Sequence, residues 1–157
     1  YYEEIGMKER DVQQSDIDFQ WYLTEKCPMK TEEEKFIEAK TAKYIENDSK
    51  ATEARTSKEF TLTLQDKECD FDTKPQTQAD LLTAFAVCSQ GLTYDGWICN
   101  NGVEINLTLE DVIAISEKFK ELSNVYPHWN YYKNLIDNAK TLWQVKNIEI
   151  DYTSNIE

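Results

Sequence analysis

Residues 96–111 read GWICNNGVEINLTLED, and this stretch predicts two elements in succession. Two short runs that favour strands flank the pair Asn101-Gly102. An Asn-Gly pair supplies the positive φ angles of a type I′ turn, so the stretch predicts a β-hairpin. Thr108 and Asp111 then have the spacing of a capping box, in which each side chain bonds a free backbone N–H at a helix start. A helix is therefore expected directly after the hairpin.

A second hairpin is expected earlier in the chain. Residues 60–64, FTLTL, and residues 69–72, CDFD, alternate large apolar with polar side chains, which is typical of half-buried strands, and residues 65–68 form the polar turn between them. Between the two hairpins, the sequence QTQADLLTAFAVCSQG predicts a helix that ends at Gly91. Its core face is expected to hold Ala79, Leu82, Phe85 and Ala86, with Leu81 and Cys88 alongside.

The C-terminal third predicts a long closing helix. Apolar residues recur at helical spacing from residue 109 to about residue 125, and the apolar face continues to about residue 144. Pro127 lies between these segments and lacks the N–H that a helix interior needs, so it must kink or break the helix. One bent helix and two separate helices both fit this pattern. Residues 148–152 alternate weakly and fit either a short strand or a frayed end.

The N-terminal third predicts one long helix. Thr31 and Glu34 have capping-box spacing, and no Gly or Pro follows before residue 59. The apolar stripe of this helix is thin, which favours an exposed helix that docks on a partner or oligomerises. The residues expected to bind the partner are Phe36, Ile37 and Tyr44. Residues 11–27 before it hold an aromatic cluster that fits a short helix or a strand.

Together these patterns predict an α+β fold. The expected order is a long N-terminal helix, a β-hairpin, a helix, a second β-hairpin and a long closing helix kinked at Pro127. We expect two parts: residues 1–58, an aromatic segment plus a docking or oligomerising helix, and residues 59–157, a compact α+β domain.

The charge balance narrows the function. The 157 residues include 17 Lys and Arg against 30 Asp and Glu, which gives a net charge of −13. Such a field repels polyanions, so no nucleic-acid partner is expected. The longest apolar runs are too short to span a bilayer and the first residues lack the order of a signal peptide, so neither a membrane partner nor export is expected.

Catalytic, metal and cofactor sites are not expected either. Cys27, Cys69, Cys88 and Cys99 contain no CxxC pair, so zinc binding is disfavoured and free thiols are expected. His128 is the single histidine, and no Gly-rich phosphate loop occurs.

Aromatic side chains leave one alternative open. A ligand groove would suit Trp97, Trp129 and Trp143, although core positions are the stronger expectation for all three.

Three segments carry a resemblance to a known family. They read FDTKPQTQADLLTAF, GWICNNGVEINLTLEDVIAI and NLIDNAKTL, and they lie within the segment from about residue 71 to residue 146. In this order they resemble a domain of unknown function found in phage and prophage tail-associated proteins, from the tail-fibre region. The matching points are Asp72-Thr73, Gln78, Trp97 and Leu107-Thr108-Leu109, and residues 31–58 look like the helix that often precedes this domain. Pro127 departs from the pattern.

The resemblance implies a non-enzymatic structural protein of a bacteriophage or prophage. It would be synthesised in the bacterial cytoplasm, lie in the tail of the virion, and bind other phage structural proteins or further copies of itself as a homo-oligomer. No catalytic residue or cofactor comes with the family. Two alternatives stay open: a tail-fibre assembly chaperone that the virion does not retain, and an acidic DNA mimic that inhibits a host protein.

Overall fold

The computed structural model describes residues 29–156 of the chain. In chain order its elements are α1 (Glu32–Thr56), β1 (Glu59–Leu64), β2 (Lys67–Asp72), α2 (Pro75–Cys88), β3 (Tyr94–Ile98), β4 (Glu104–Leu107), α3 (Leu109–Ser123), α4 (Tyr126–Asn138) and α5 (Leu142–Lys146). The predicted α+β class, with helices and two antiparallel hairpins, is confirmed. The aromatic cluster predicted at residues 11–27 lies outside the described residues.

The first hairpin has a tighter turn than its sequence suggests. β1 and β2 pair in register from Glu59 opposite Asp72 to Leu64 opposite Lys67. Only Gln65 and Asp66 lie between them, with φ angles of 51° and 61°. Two successive positive φ angles in a two-residue loop define a type I′ turn, so this turn type occurs here, without the Asn-Gly pair that usually forms it.

The second hairpin does not have the type I′ turn predicted for it. The Cys99 N–H donates to the Val103 carbonyl oxygen at 2.8 Å, which leaves three residues in the loop. Of these three, only Gly102 has a positive φ angle, at 84°. The Gly102 N–H also donates to the Cys99 carbonyl oxygen at 2.8 Å. This pattern fits the three-residue loop in which glycine forms a bulge after a type I turn.

Contacts to the first hairpin explain this choice of loop. The Asn100 N–H donates to the Asp70 carbonyl oxygen at 2.8 Å, and the Asn101 Nδ2 donates to the Glu68 carbonyl oxygen at 2.9 Å. The two asparagines are therefore committed to β2. These tertiary hydrogen bonds join the loop of the second hairpin to strand β2 of the first, and local turn preference does not take them into account.

The buried face of α2 differs from the predicted one. Leu81, Ala84 and Cys88 are buried, whereas Leu82 and Phe85 are exposed. Adjacent helix positions point about 100° apart, so the core face is rotated by one position from the predicted face. The Cys88 thiol, which contacts the Leu107 carbonyl oxygen at 3.4 Å, fixes that rotation at the end of the helix.

One hydrophobic core joins the two hairpins, α2 and α3. Phe60 stacks on Phe71 across the first hairpin, with ring centroids 5.4 Å apart, and Trp97 packs beside Phe71. The other buried members come from both hairpins, the loop residue Cys99 and the inner faces of the two helices: Leu64, Cys69, Leu81, Ala84, Cys88, Cys99, Ile105, Leu107, Val112 and Ile115.

The closing segment is two separate helices, so the predicted long closing helix is broken near Pro127, not kinked. α3 ends at Ser123, and α4 begins at Tyr126 with Pro127 in its first turn. Proline suits this position because the first N–H groups of a helix have no partner within it. Residues 148–156 contain no strand, and the tail is not frayed either, because Ile150 is buried and the Tyr152 hydroxyl donates to Asn47 Oδ1.

The long helix α1 packs against α4 and α5. The Lys40 Nζ donates to the Asp137 carbonyl oxygen at 3.2 Å, and the Asn47 Nδ2 donates to the Trp129 carbonyl oxygen at 3.1 Å. Since later residues of α1 meet earlier residues of α4, the two helices are antiparallel. The buried residues of α1, α4, α5 and the segments that follow α4 and α5 are Asn47, Ala51, Tyr132, Ile136, Ala139, Val145 and Ile150.

These contacts tie α1 to the C-terminal end of the chain. The division into residues 1–58 and 59–157 stays a prediction, but α1 shares an interface with the last helices of the second part. No helix within residues 29–156 has the length and apolar content that a membrane span needs.

Candidate functional site

The three residues predicted to bind a partner have different surroundings. The Tyr44 hydroxyl donates to Asp137 Oδ1 on α4, and this bond, together with burial, raises the pKa of Tyr44 to about 12. Phe36 is half-buried, with the Lys40 Nζ 4.9 Å from its ring centroid. Ile37 is 56% exposed. Of the three, therefore, only Ile37 faces solvent, and Tyr44 holds α1 to α4.

A stronger candidate surface lies on α2. Leu82 is 66% exposed and Phe85 is 49% exposed, and their spacing of three residues places them on one helix face. We call this pair the α2 ridge. Ala79 and Ala86 flank it and are also exposed. Asp80 is the one charged residue among the 14 of α2. The outer surface of α2 is therefore almost uncharged, in a chain where charged residues make up 30%.

The sequence predicts Leu82 and Phe85 on an apolar helix face, but it places that face in the core. α2 is apolar on two faces, and one helix in a two-layer packing can bury only one of them. The near absence of charge was the available signal, because a helix with one solvated face normally carries several charged residues on it.

A second candidate is a groove between α1 and the connection from α3 to α4. It encloses about 570 Å³. Its α1 side consists of Asp48, Ala51, Thr52 and Arg55, and its other side consists of residues 123–126 and Trp129. Ala51 and Thr52 have small side chains, which leaves space between the two charged residues. We call this cavity the α1–α4 groove.

Aromatic rings form one wall of the α1–α4 groove. The rings of Tyr126 and Trp129 stack with centroids 6.0 Å apart and planes 25° apart. The Trp129 Nε1 donates to Asp48 Oδ1 at 2.7 Å, and the backbone of Trp129 is held by Asn47. Tyr126 is 64% exposed. The wall therefore has a fixed inner ring and an accessible outer one.

The charges of the groove lie two helical turns apart. Asp48 and Arg55 are seven residues apart on α1, which is about 10 Å along the axis. Neither side chain makes an ion pair with another residue in the range 29–156. One end of the groove is therefore anionic and aromatic, and the other is cationic.

The three tryptophans expected in the core occupy three different environments. Trp97 is buried in the core, as predicted. Trp129 is half-buried in the wall of the groove, and Trp143 on α5 is 72% exposed. The core expectation is therefore wrong for Trp129 and Trp143. The alternative of an aromatic-lined groove fits Trp129.

His128 holds the C-terminal tail. Its Nε2 lies 2.7 Å from the Ser154 carbonyl oxygen, and its ring stacks on Tyr152 with centroids 5.5 Å apart. Burial and the negative charge of Asp48 raise the pKa of Tyr152 to about 12. The Tyr152 hydroxyl also donates to Asn47 Oδ1 at 2.5 Å. His128 and Asn47 therefore hold residues 152–154 of the C-terminal tail against α4 and α1.

Asp72 is a buried carboxylate whose partners are all local to the two hairpins and α2. It accepts hydrogen bonds from the Lys74 N–H at 3.0 Å, from Asn100 Nδ2 at 2.9 Å and from the Thr77 hydroxyl. Burial alone would raise the pKa of Asp72, but the bonds from Thr77, Asn100 and Lys74 outweigh it and hold the pKa below its ordinary value. Asp72 therefore joins the first turn of α2 to the second hairpin through Thr77 and Asn100.

Within residues 29–156, no three or more His, Cys, Asp or Glu side chains lie close enough together to bind a metal ion.

Comparison with known proteins finds no matching family model, no matching curated protein and no matching solved structure.

Proposed function

We propose that this protein is a non-enzymatic docking module that binds another protein through the α2 ridge. The observation that carries the proposal is the exposure of Leu82 and Phe85 on a helix with one charged residue. Single exposed apolar residues are common on protein surfaces, whereas neighbouring large apolar residues exposed on one nearly uncharged helix face are typical of an interface.

Burial of the α2 ridge would contribute part of the free energy of binding a partner. Full burial of a leucine or phenylalanine contributes about 1.5–3 kcal/mol. Since Leu82 and Phe85 keep roughly half to two-thirds of that surface in water, covering both would contribute about 2–4 kcal/mol. The net charge of −13 favours a partner with a basic rim around its apolar contact, because charge complementarity accelerates association and excludes wrong partners.

The proposed partner is another structural protein of a phage or prophage tail, and the proposed location is the virion. This part of the proposal rests on the resemblance of residues 71–146 to the tail-associated domain. The α2 ridge lies within the segment FDTKPQTQADLLTAF that contributes to that resemblance. Ile37, exposed on α1, is proposed as a secondary contact.

Mass spectrometry of purified particles from an induced host tests the proposal. The wild-type chain is expected in particles at a fixed copy number. The double variant Leu82→Asp with Phe85→Asp is expected to be absent from particles while its circular dichroism stays unchanged. Leu135→Asp, at an exposed leucine on α4, is the matched control and should be retained.

The outcomes separate the parts of the proposal. Absence of the wild-type chain from particles would contradict a structural subunit and favour the assembly chaperone. Equal retention of the ridge variant and the control would show that docking uses another surface.

A further inference from the structure

We propose that the α1–α4 groove binds a basic residue that carries a free carboxylate, either as a free amino acid or as the last residue of a peptide. The proposal rests on the groove alone and does not depend on the docking function of α2.

The size of the groove suits a ligand of this kind. Its volume of about 570 Å³ falls within the ~300–1,000 Å³ that small-molecule sites occupy. The small side chains of Ala51 and Thr52 form the floor between the two ends. An extended ligand can therefore lie along α1 and reach both ends.

The anionic end is built to hold a cation. Asp48 accepts the Trp129 indole N–H at 2.7 Å, which fixes the carboxylate beside the aromatic wall. The exposed ring of Tyr126 stacks over Trp129. A cation over an aromatic face is attracted by the negative charge density of that face, and the attraction adds to that of a neighbouring carboxylate. The net charge of −13 favours cations over the whole surface.

The cationic end selects for a carboxylate. Arg55 lines the groove and has no ion-pair partner among residues 29–156. A guanidinium donates two parallel hydrogen bonds to a carboxylate, which fixes its orientation as well as its position. At about 10 Å, the attraction between Asp48 and Arg55 is largely screened by salt, so each is available to a ligand.

A ligand with both charges matches both ends at once. In arginine and lysine the distance between the side-chain cation and the α-carboxylate is shorter than the distance between Asp48 and Arg55 along α1. The flexible Arg55 side chain can bend toward Asp48 and make up the difference. A plain anion would meet Arg55 alone while the acidic surface repels it. A plain cation would leave Arg55 without a partner. The groove therefore discriminates in favour of the bipolar ligand.

Three matched probes test this discrimination. N-acetyl-arginine carries both charges, N-acetyl-argininamide lacks the carboxylate, and N-acetyl-citrulline lacks the cation but keeps the shape. The readout is the NMR signal of the Trp129 indole N–H, assigned by its loss in Trp129→Phe. N-acetyl-arginine is expected to shift this signal with a Kd of about 1 mM, a value typical of a ligand of this size. The other two probes should bind about tenfold more weakly.

Two variants connect each preference to one residue. Arg55→Gln should abolish the preference for N-acetyl-arginine over its amide, with Lys58→Gln as the control for the loss of one positive charge. Asp48→Asn keeps an acceptor for the Trp129 indole and should abolish the preference over N-acetyl-citrulline. Glu53→Gln, on the same helix outside the groove, is its control.

The results decide the proposal in either direction. Equal shifts from the three probes, or no shift of the Trp129 signal with any of them, would overturn it. A tetrapeptide that ends in arginine and free arginine then separate the two sources. Tighter or equal binding of the tetrapeptide identifies the end of a peptide chain, and tighter binding of free arginine identifies the free amino acid.

Discussion

The indole Nε1 of Trp129 on α4 donates a 2.7 Å hydrogen bond to Oδ1 of Asp48 on α1. The two residues are 81 positions apart in the chain, and the bond forms one end of the α1–α4 groove. It therefore links the packing of α1 on the closing helices to the shape of the candidate site.

Trp129→Phe should lower the free energy of unfolding by about 1–2 kcal/mol, because hydrogen bonds to charged groups contribute about 1.5–3 kcal/mol and this site is partly exposed. Urea unfolding at neutral pH measures the change. Trp143→Phe, at an exposed tryptophan, should change stability by no more than about 0.5 kcal/mol. Equal effects of the two substitutions would show that the indole bond contributes nothing measurable.

Leu81→Ala and Leu82→Ala should separate the two faces of α2. Leu81 is buried, and its truncation should cost about 2–4 kcal/mol through lost transfer energy and a cavity. Leu82 is mostly exposed, so its truncation should cost no more than about 0.5 kcal/mol. The measurement is urea unfolding of both variants. A larger loss of unfolding free energy for Leu82→Ala than for Leu81→Ala would show that the face with Leu82 is the buried one, as the sequence predicts.

Asp66→Gly should raise the free energy of unfolding by about 0.5–1 kcal/mol, because Asp66 has a φ angle of 61° that glycine adopts without strain. Thermal and urea unfolding measure the gain. Glu68→Gly, one position into β2, is the control and should be destabilising, since glycine weakens a strand interior. If Asp66→Gly lowered the free energy of unfolding, the aspartate side chain would stabilise the folded protein by more than its positive φ angle destabilises it.

The local elements of this fold could be predicted from the sequence because their signals are local. Thr108 and Asp111 form the predicted capping box, with Asp111 Oδ2 accepting the Thr108 N–H at 3.0 Å. At Thr31 only half of the predicted box forms: its hydroxyl accepts the Glu34 N–H at 3.1 Å. Both helices begin where the side-chain spacing indicates.

Features that depend on distant contacts were not predictable. The bonds from Asn100 and Asn101 to β2 override the turn preference of Asn101-Gly102. The rotation of α2 depends on which face meets the hairpins, and both faces carry similar apolar residues. The groove brings Asp48 to Trp129 across 81 positions, and no spacing in the chain indicates that approach.

Asp72 should make stability depend on pH in the acid range. Its pKa in the folded protein lies below the 3.8 of an ordinary aspartate, so the unfolded chain takes up the proton first as pH falls. The stabilisation is present above the unfolded pKa and is lost as pH falls through the folded pKa. Urea unfolding at a series of pH values below about 5 should show a steeper loss for wild type than for Asp72→Asn. The control is Asp80→Asn, at a carboxylate on α2 that accepts an exposed hydrogen bond from Gln76 Nε2 at 2.9 Å, and it should follow the wild-type curve.

Cys69 and Cys99 should resist alkylation until the protein unfolds. Both are buried, and Cys99 lies next to Cys69 where the loop of the second hairpin meets β2. Burial, followed by the neighbouring Cys69, raises the pKa of Cys99 to about 12, so the reactive thiolate does not form at pH 8. Iodoacetamide at pH 8, followed by peptide mass spectrometry, should label both residues at the rate of unfolding, and urea should accelerate the labelling. Alkylation of Cys99 in native protein at the rate of a free small-molecule thiol would show that the hairpin contact opens in the folded state.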